Sequence, residues 1–357
     1  MSWYPRIATG KLNYYRNLPK LDLHRHLEGS LRLDTIIDIA RRHSITIPAS
    51  FHAFVQVQPD DPLTFHNFLS KFQHLRQIYR SPEVIARVTA EAVQDAAADG
   101  LHYLELRFTP IALARMQGYS LGEVMDWVTV SAWQAAEAYP IKVRLIVSVN
   151  RHEPVELAEK VARLAAERIG QGVVGLDLAG NEAEFSAAPF VGVFREASQS
   201  GLHITAHAGE WGGAFNVRQA IECLGAERIG HGVRVIEDPL VMDLARERGT
   251  VLEVCLTSNY QSGVVPALSD HPLARLLNAG LAVTLNTDDP GISGITLTDE
   301  YRLALEDLGL PPAELIGCVL SAARAAFLPP EERLLLEAQM KTMLEVYFKE
   351  PNPRPLP

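Results

Sequence analysis

Two histidines one residue apart, His24 and His26, follow the short apolar run Leu21-Asp22-Leu23. On a strand, alternate side chains point to one face, so both imidazoles converge on a single point in space. A histidine pair alone is commonly a surface feature. Three further segments, however, repeat the pattern of an apolar run that ends abruptly in coordinating groups: Leu202 to His207 with Ala208-Gly209-Glu210, Arg228-Ile229-Gly230-His231, and Leu281 to Asp288-Asp289-Pro290. Three imidazoles and a carboxylate, His24, His26, His207 and Asp288, suit one Zn2+ that keeps a position open for water. Such an ion lowers the pKa of bound water from 15.7 to about 7, making hydroxide available at neutral pH. His231 would face the same pocket and either take the water's proton or orient the nucleophile. Glu210, three residues past His207 and across a glycine, is placed to give a proton to the substrate, which requires a dry pocket that raises its pKa.

Positioning these groups requires strands that end together. Besides the four segments above, His102 to Phe108, Ile141 to Val149, Val173 to Leu178 and Thr250 to Leu256 read as buried strands, giving eight. Helical patterns such as Pro154 to Ile169 and Pro239 to Arg248 lie between them, which implies parallel pairing through right-handed crossovers. The expected fold is an α/β (β/α)8 TIM barrel spanning 1–349 as a single metallohydrolase domain. In such a barrel the site forms at the C-terminal strand ends, where His24, His26, Gly180, His207, Glu210, His231, Asp288 and Asp289 all fall.

The largest interval, about 30–99 between the first two strands, reads as a helical insert. Ser81-Pro82-Glu83 gives a cap, a proline at the first helical position and an early acid, and Gly100 a stop. Phe65, Phe68, Phe72 and Leu75 recur at helical spacing, either as packing against the barrel or as part of a cover that excludes water from the site. Extra helices follow Pro290, and the proline-rich tail 350–357 is expected to be flexible.

Composition narrows the classes. The chain has 357 residues, 47% hydrophobic and 21% charged, and its formal net charge of −10 argues against a nucleic-acid binder. Cys223, Cys255 and Cys318 are odd in number and scattered, the opening residues lack an apolar leader, and no run of about 18 apolar residues occurs. A cytoplasmic protein without membrane partners is expected. The fourth strand has no lysine that could be carbamylated to bridge two metals, so one ion is favoured over two. The H-x-E…P-C-x-x-C pattern of the other zinc deaminases is absent. Cys255 reads as a buried small hydrophobe, Glu105 and Arg107 as a buried pair, and His203 as a side chain packed within the barrel. The histidines outside the motifs, His271 among them, read as surface or satisfied core residues.

Six words in order, Leu23-His-Arg-His-Leu-Glu-Gly29, Asp177-Leu-Ala-Gly180, His207-Ala-Gly-Glu210, Arg228-Ile-Gly-His-Gly232, Cys255-Leu-Thr-Ser-Asn259 and Asn286-Thr-Asp-Asp-Pro290, resemble the motifs of the adenosine deaminase family over about 19–301. The resemblance implies a single-zinc (β/α)8 enzyme that hydrolyses the 6-amino group of a purine nucleoside. Carried over, His24, His26, His207 and Asp288 resemble the zinc ligands, and Glu210 the acid that protonates N1. His231 resembles the residue that positions water, Asp289 the contact to N7, and Gly180 the backbone group near N3. His26 and Glu28 complete the expected substrate contacts. The family commonly has Leu-Asp-Gly where this chain has Leu27-Glu28-Gly29, the aspartate touching the ribose 5′-hydroxyl. Relatives acting on free adenine or on 5′-modified adenosines, such as aminofutalosine-type nucleosides, are closer to this chain at that point. Thr257 to Gln261 with Asn286 to Asp288 look instead like bacterial adenosine deaminases. Adenosine or deoxyadenosine is the expected substrate, with those two classes as alternatives. A metal-dependent amide or ester hydrolase and a catalytically silent nucleoside binder are more distant ones.

Overall fold

The structure, a computed structural model, describes residues 9–48 and 50–349. The tail expected to be flexible, 350–357, lies outside the described residues. Eight strands run in parallel and in sequence order: β1 (Lys20–His26), β2 (Leu101–Phe108), β3 (Lys142–Asn150), β4 (Val173–Ala179), β5 (His203–Ala208), β6 (Arg228–His231), β7 (Val251–Val254) and β8 (Ala282–Leu285). Each neighbouring pair from β1 to β8 forms a parallel ladder, and helices cover the outside, as the alternating pattern predicts.

The ring closes differently. Between β8 and β1 there is no regular ladder, and the seam is made just past the end of β8. The His26 amide donates to the Asp288 carbonyl (2.8 Å) and the Asp288 amide to the His24 carbonyl (2.8 Å). Below them the Leu23 amide donates to Asn286 Oδ1 (3.0 Å), and Thr287 Oγ1 donates to Asp22 Oδ2 (2.5 Å).

β7 is shorter than the run Thr250 to Leu256 suggests. Cys255 caps a helix, Leu256–Gln261, whose first amides are met by the buried carboxyl of Glu300 (Leu256 N, 2.7 Å; Thr257 N, 3.1 Å). A helix start leaves such donors without partners, and Glu300 supplies them from a distant segment that local pattern cannot show.

The interval 30–99 is helical, with helices at Leu33–Arg42, Phe51–Val55, Phe65–Leu75 and Pro82–Ala98. Ser81 caps the last of these, accepting from the Val84 amide (3.3 Å), and Gly100 turns the chain at φ +82°. That helix packs on the next barrel helix, Leu121–Glu137, so it is the crossover from β1 to β2 rather than an addition. Among the described residues no helix is long and apolar enough to cross a membrane.

Barrel interiors are usually filled with branched aliphatic side chains. Here the inward positions hold Glu105, Arg107, Ser148, Asp177, Thr205, Arg228, Glu253 and Thr284, all fully or almost fully buried. Glu105 and Arg107, expected to pair with each other, do not. They stand two residues apart on one strand face, and each reaches across the barrel: Glu105 to Arg228, and Arg107 to Glu253 (2.8 Å) and Asp177 (3.6 Å). Arg228 Nε also donates to Glu253 Oε1 (2.6 Å), and its guanidinium lies over the Phe327 ring, 3.5 Å from the centroid. His203, expected inside the barrel, sits at the N-terminal rim instead. It stacks on the Phe327 ring (centroids 4.5 Å apart), and its Nδ1 meets Glu227 at 2.9 Å. As the first residue of β5, it is too early in the strand to reach the interior.

Removing one partner from a buried ion network leaves a bare charge in a poorly polarisable interior. Arg228→Met should therefore lower the unfolding free energy by about 3–5 kcal/mol, read from urea melts. A loss of under about 1 kcal/mol would show that Glu105 and Glu253 do not depend on it.

Candidate active site

At the C-terminal mouth of the barrel, nitrogens of His24, His26 and His207 and a carboxylate oxygen of Asp288 all lie within 4.8 Å of one another. His24 and His26 come from β1, His207 from β5, and Asp288 from the seam after β8. His24 Nε2 is 3.2 Å from Asp288 Oδ1, His26 Nε2 is 3.4 Å from the same oxygen, and His26 Nε2 is 3.2 Å from His207 Nε2. Gly230 makes this approach possible. A Cβ there would stand 2.8 Å from His24 Cε1 and 3.2 Å from His207 Cγ.

The donor set can be tested against a cation. His24 Nδ1 gives its hydrogen to Glu253 Oε2 (2.8 Å), and His207 Nδ1 gives its own to Asp177 Oδ1 (3.1 Å). The Nε2 atoms of both rings are thereby left as lone pairs aimed at one point, and His24 Nε2 is buried without a hydrogen bond. Burial alone would raise Asp288, but the surrounding His24, His231 and His26 hold its carboxyl well below the usual range. Burial would likewise raise Glu253, which Arg107 and Arg228 hold down, and Asp177, which His207 and Arg107 hold down. Glu105, Asp177 and Glu253 have the guanidiniums Arg107 and Arg228 beside them, whereas Asp288 is ringed by imidazoles. Lone pairs and geometry fit a metal ion.

Around this centre stand the remaining predicted residues. The His231 ring is 4.9 Å from His24 and 5.4 Å from His207, and its Nε2 is 3.6 Å from Glu210 Oε2. Burial pushes the Glu210 carboxyl well above the ordinary range, and the charges of Asp288 and Glu182 act in the same direction. Asp289 is raised well above its ordinary value by burial and then by Asp288, Glu28 and Glu210, and its Oδ1 has no partner. It packs so tightly on Gly29 that a Cβ at Gly29 would overlap it at 1.7 Å. Glu28 Oε1 accepts from the Thr109 amide (2.6 Å) while Oε2 is buried without a partner, and burial pushes this carboxyl up to about 7. Gly180 ends β4 at φ +95°. Among the described residues only Ser44, His231 and Asp288 are non-glycine residues with positive φ, near +60° for the two site residues, a conformation that surrounding structure must enforce.

Several positions carry no role in the sequence, although Asp177 and Ser258 stand inside two of its six motif words. Glu253 and Asp177 orient ligand rings. Glu182 accepts from the amides of Gly209 (2.9 Å), Glu210 (2.6 Å) and Gly212 (3.0 Å) and so holds the turn that carries Glu210. Ser258 Oγ donates to Asp288 Oδ2 (2.6 Å). The inward period-two positions of β4 and β7 could have revealed Asp177 and Glu253; no local signal marks Glu182. Cys255 has its sulfur within 4.8 Å of ligand atoms of His231 and Asp288, yet burial pushes its thiol up and it donates to the Glu253 carbonyl (3.5 Å), so it is the inert buried thiol expected.

Comparison with known proteins agrees with this geometry. The family profile described as adenosine deaminase matches residues 19–343. An adenosine deaminase of Erwinia tasmaniensis is 40% identical over 329 residues, 90% of this chain and 98% of that protein. Among solved structures, Arabidopsis ADAL complexed with GMP superposes with a TM-score of 0.83 at 28% identity, covering 92% of this chain and 98% of that one. An amidohydrolase from Burkholderia ambifaria with bound zinc superposes with a TM-score of 0.88 at 24% identity, covering 97% and 96%, a likeness of fold.

Partners that orient a ligand ring typically change metal affinity 10- to 100-fold when lost. Asp177→Asn, which takes away the negative charge that holds the His207 proton on Nδ1, should raise the Zn2+ dissociation constant by about that factor in competition with a chelator. An unchanged constant would mean that His207 does not bind the ion.

Proposed function

The chain belongs to the adenosine deaminase family, and from that premise we propose that it hydrolyses the 6-amino group of adenosine or deoxyadenosine, giving inosine or deoxyinosine and ammonia. The observation that carries the reading is the buried Glu210 carboxyl, 3.6 Å from His231 and beside the four-residue donor set. A Zn2+ held by His24, His26, His207 and Asp288 would act as a Lewis acid that lowers the pKa of water toward about 7.

The chain's own residues supply the rest. Adding water to C6 of a purine breaks ring conjugation, and a proton placed on N1 at the same time keeps charge from building up in the ring. Glu210, kept protonated by burial, gives that proton. Asp288 Oδ2, on the side of the carboxylate toward His231 (3.9 Å), takes a proton from the attacking water. Collapse then breaks the C6–N6 bond: the amine leaves as ammonia with the proton from Asp288, and the C6 hydroxyl returns one to Glu210. One water is consumed and both carboxyls return to their starting states. His231 positions the attacking water.

Asp289, held neutral, has a proton to offer N7, which can only accept. By the family resemblance the backbone at Gly180 would meet N3, and His26 and Glu28 would complete the substrate contacts. A cover comes from the helical interval: the Phe65 ring lies 5.4 Å from Trp211, the residue after Glu210. We read 1–349 as one catalytic unit working in the cytoplasm, a compartment consistent with Cys223, Cys255 and Cys318 all being unpaired.

Glu28 favours a second reading at the sugar end. It is one methylene longer than the family's usual aspartate, and one of its oxygens is already taken by the Thr109 amide. A free adenine or an adenosine altered at the 5′ position would meet it differently.

Glu210→Gln should keep its metal and fold yet lose about 10²- to 10⁴-fold in kcat for adenosine, followed by the absorbance change at C6. Turnover at the parental rate, or two metal ions per chain, would favour an amide or ester hydrolase instead. In a panel of adenosine, deoxyadenosine, adenine, 5′-modified adenosines and adenosine monophosphate, the two unmodified nucleosides should have the highest kcat/KM. Adenine ahead of both would move the assignment to the base.

A further inference from the structure

His271 lies outside every motif, 7% exposed, in the turn before the helix Leu273–Asn278. Its two ring nitrogens have different partners. The Leu273 amide donates to His271 Nδ1 (3.1 Å), and His271 Nε2 is 3.2 Å from Asn259 Oδ1. The other atom of that amide, Asn259 Nδ2, is 3.0 Å from His231 Nδ1. Asn259 is fully buried and His231 is 1% exposed, so water does not compete for these bonds.

A backbone amide can only donate, and this sets the direction of the whole chain. Because Leu273 N–H occupies Nδ1 of His271, the ring hydrogen of neutral His271 must be on Nε2, from which it donates to Asn259 Oδ1. The Asn259 amide is thereby oriented with its NH2 toward His231 and donates to Nδ1 there. His231 Nδ1 is then an acceptor, and the hydrogen of the neutral ring must be on Nε2. That nitrogen faces Glu210 Oε2 (3.6 Å) and Asp288 Oδ2 (3.9 Å). The opposite arrangement would set two N–H groups against each other at Leu273, at His231, or at both. Burial holds His271 down to about 3, so the ring stays neutral.

We infer that His271 is a positioning residue for the reaction: through Asn259 it fixes the tautomer of His231, which therefore meets the reacting centre as an N–H donor and not as a proton acceptor. Resting on the deaminase reading of His231, this separates the two roles that the sequence left open for it. His231 holds the attacking oxygen by donating to it, while proton uptake falls to Asp288. A neutral imidazole whose only free nitrogen is already protonated cannot serve as the base on that side.

The test uses the zinc-loaded enzyme with ¹⁵N-labelled histidine and two-bond ¹H–¹⁵N correlation spectra, which report directly which ring nitrogen carries hydrogen. The parent should show His231 protonated at Nε2 and bare at Nδ1. Asn259→Asp, which replaces the NH2 with an acceptor, should move the hydrogen to Nδ1 and lower kcat for adenosine by about tenfold or more with KM within about threefold. His271→Leu keeps a buried side chain of comparable size but cannot hold the amide in place. It should give a mixture of His231 tautomers and an intermediate kcat. A parent spectrum with hydrogen on Nδ1 would overturn the inference, as would a His271→Leu enzyme with parental tautomer and kcat. If Asn259→Asp does not fold, the parent spectrum and His271→Leu decide the matter. A parent that shows the Nε2 tautomer but does not turn over adenosine would sink the deaminase reading and leave the hydrogen-bond chain standing.

Discussion

Four electron-pair donors within 4.8 Å of one another, in a barrel with almost no exposed surface around them, repel unless positive charge sits among them. Much of the interior can be understood from that demand. Glu253 and Asp177 each take the far hydrogen of a ligand ring, which keeps the near nitrogen bare. Their own charges would be costly in isolation, so Arg107 bridges them and Arg228 ties Glu253 to Glu105 one layer lower. The chain of alternating charge ends at Phe327, whose ring lies under the Arg228 guanidinium and closes the barrel against His203. A core of this kind is a means of aiming two imidazoles more than a source of stability, since buried ion pairs roughly offset their own desolvation.

The same interior sorts neighbouring carboxyls into different protonation states. Asp288 lies among imidazoles and stays ionised, while Asp289, the next residue, and Glu210 face other carboxylates in a dry setting and keep their protons. An ionised acceptor and two protonated donors thus arise from side chains of one chemical type, separated only by what surrounds them.

The parts of this arrangement visible in the sequence were those with local grammar. Eight apolar-rich runs marked the strands because their outward positions pack under the helices, and polar residues at their ends marked the site because a parallel barrel gathers strand ends. The cap at Ser81 and the stop at Gly100 could be read residue by residue. What could not be read depended on side chains meeting across the ring. Glu105 and Arg107 looked like partners because they are close in sequence, yet two positions on one strand face are a poor distance for pairing, and both found partners on β4, β6 or β7. His203 lies at the rim and not inside, because strand phase says which face a residue occupies and not how far along the barrel it lies. Glu182 and His271 were silent because each acts through backbone amides or another side chain rather than through a motif of its own.

The seam between β8 and β1 has its own consequence. The amides and carbonyls that complete the ring belong to His24, His26 and Asp288, the same residues whose side chains meet at the centre. Tolerance to sequence drift must therefore be unequal around the mouth: Asn286, Thr287 and Asp288 are at once hinge pin and working part, so little can change there without loosening the cylinder. Variation is left to the helical interval carrying Phe65, which touches the mouth through Trp211 and can be recut without touching the staves.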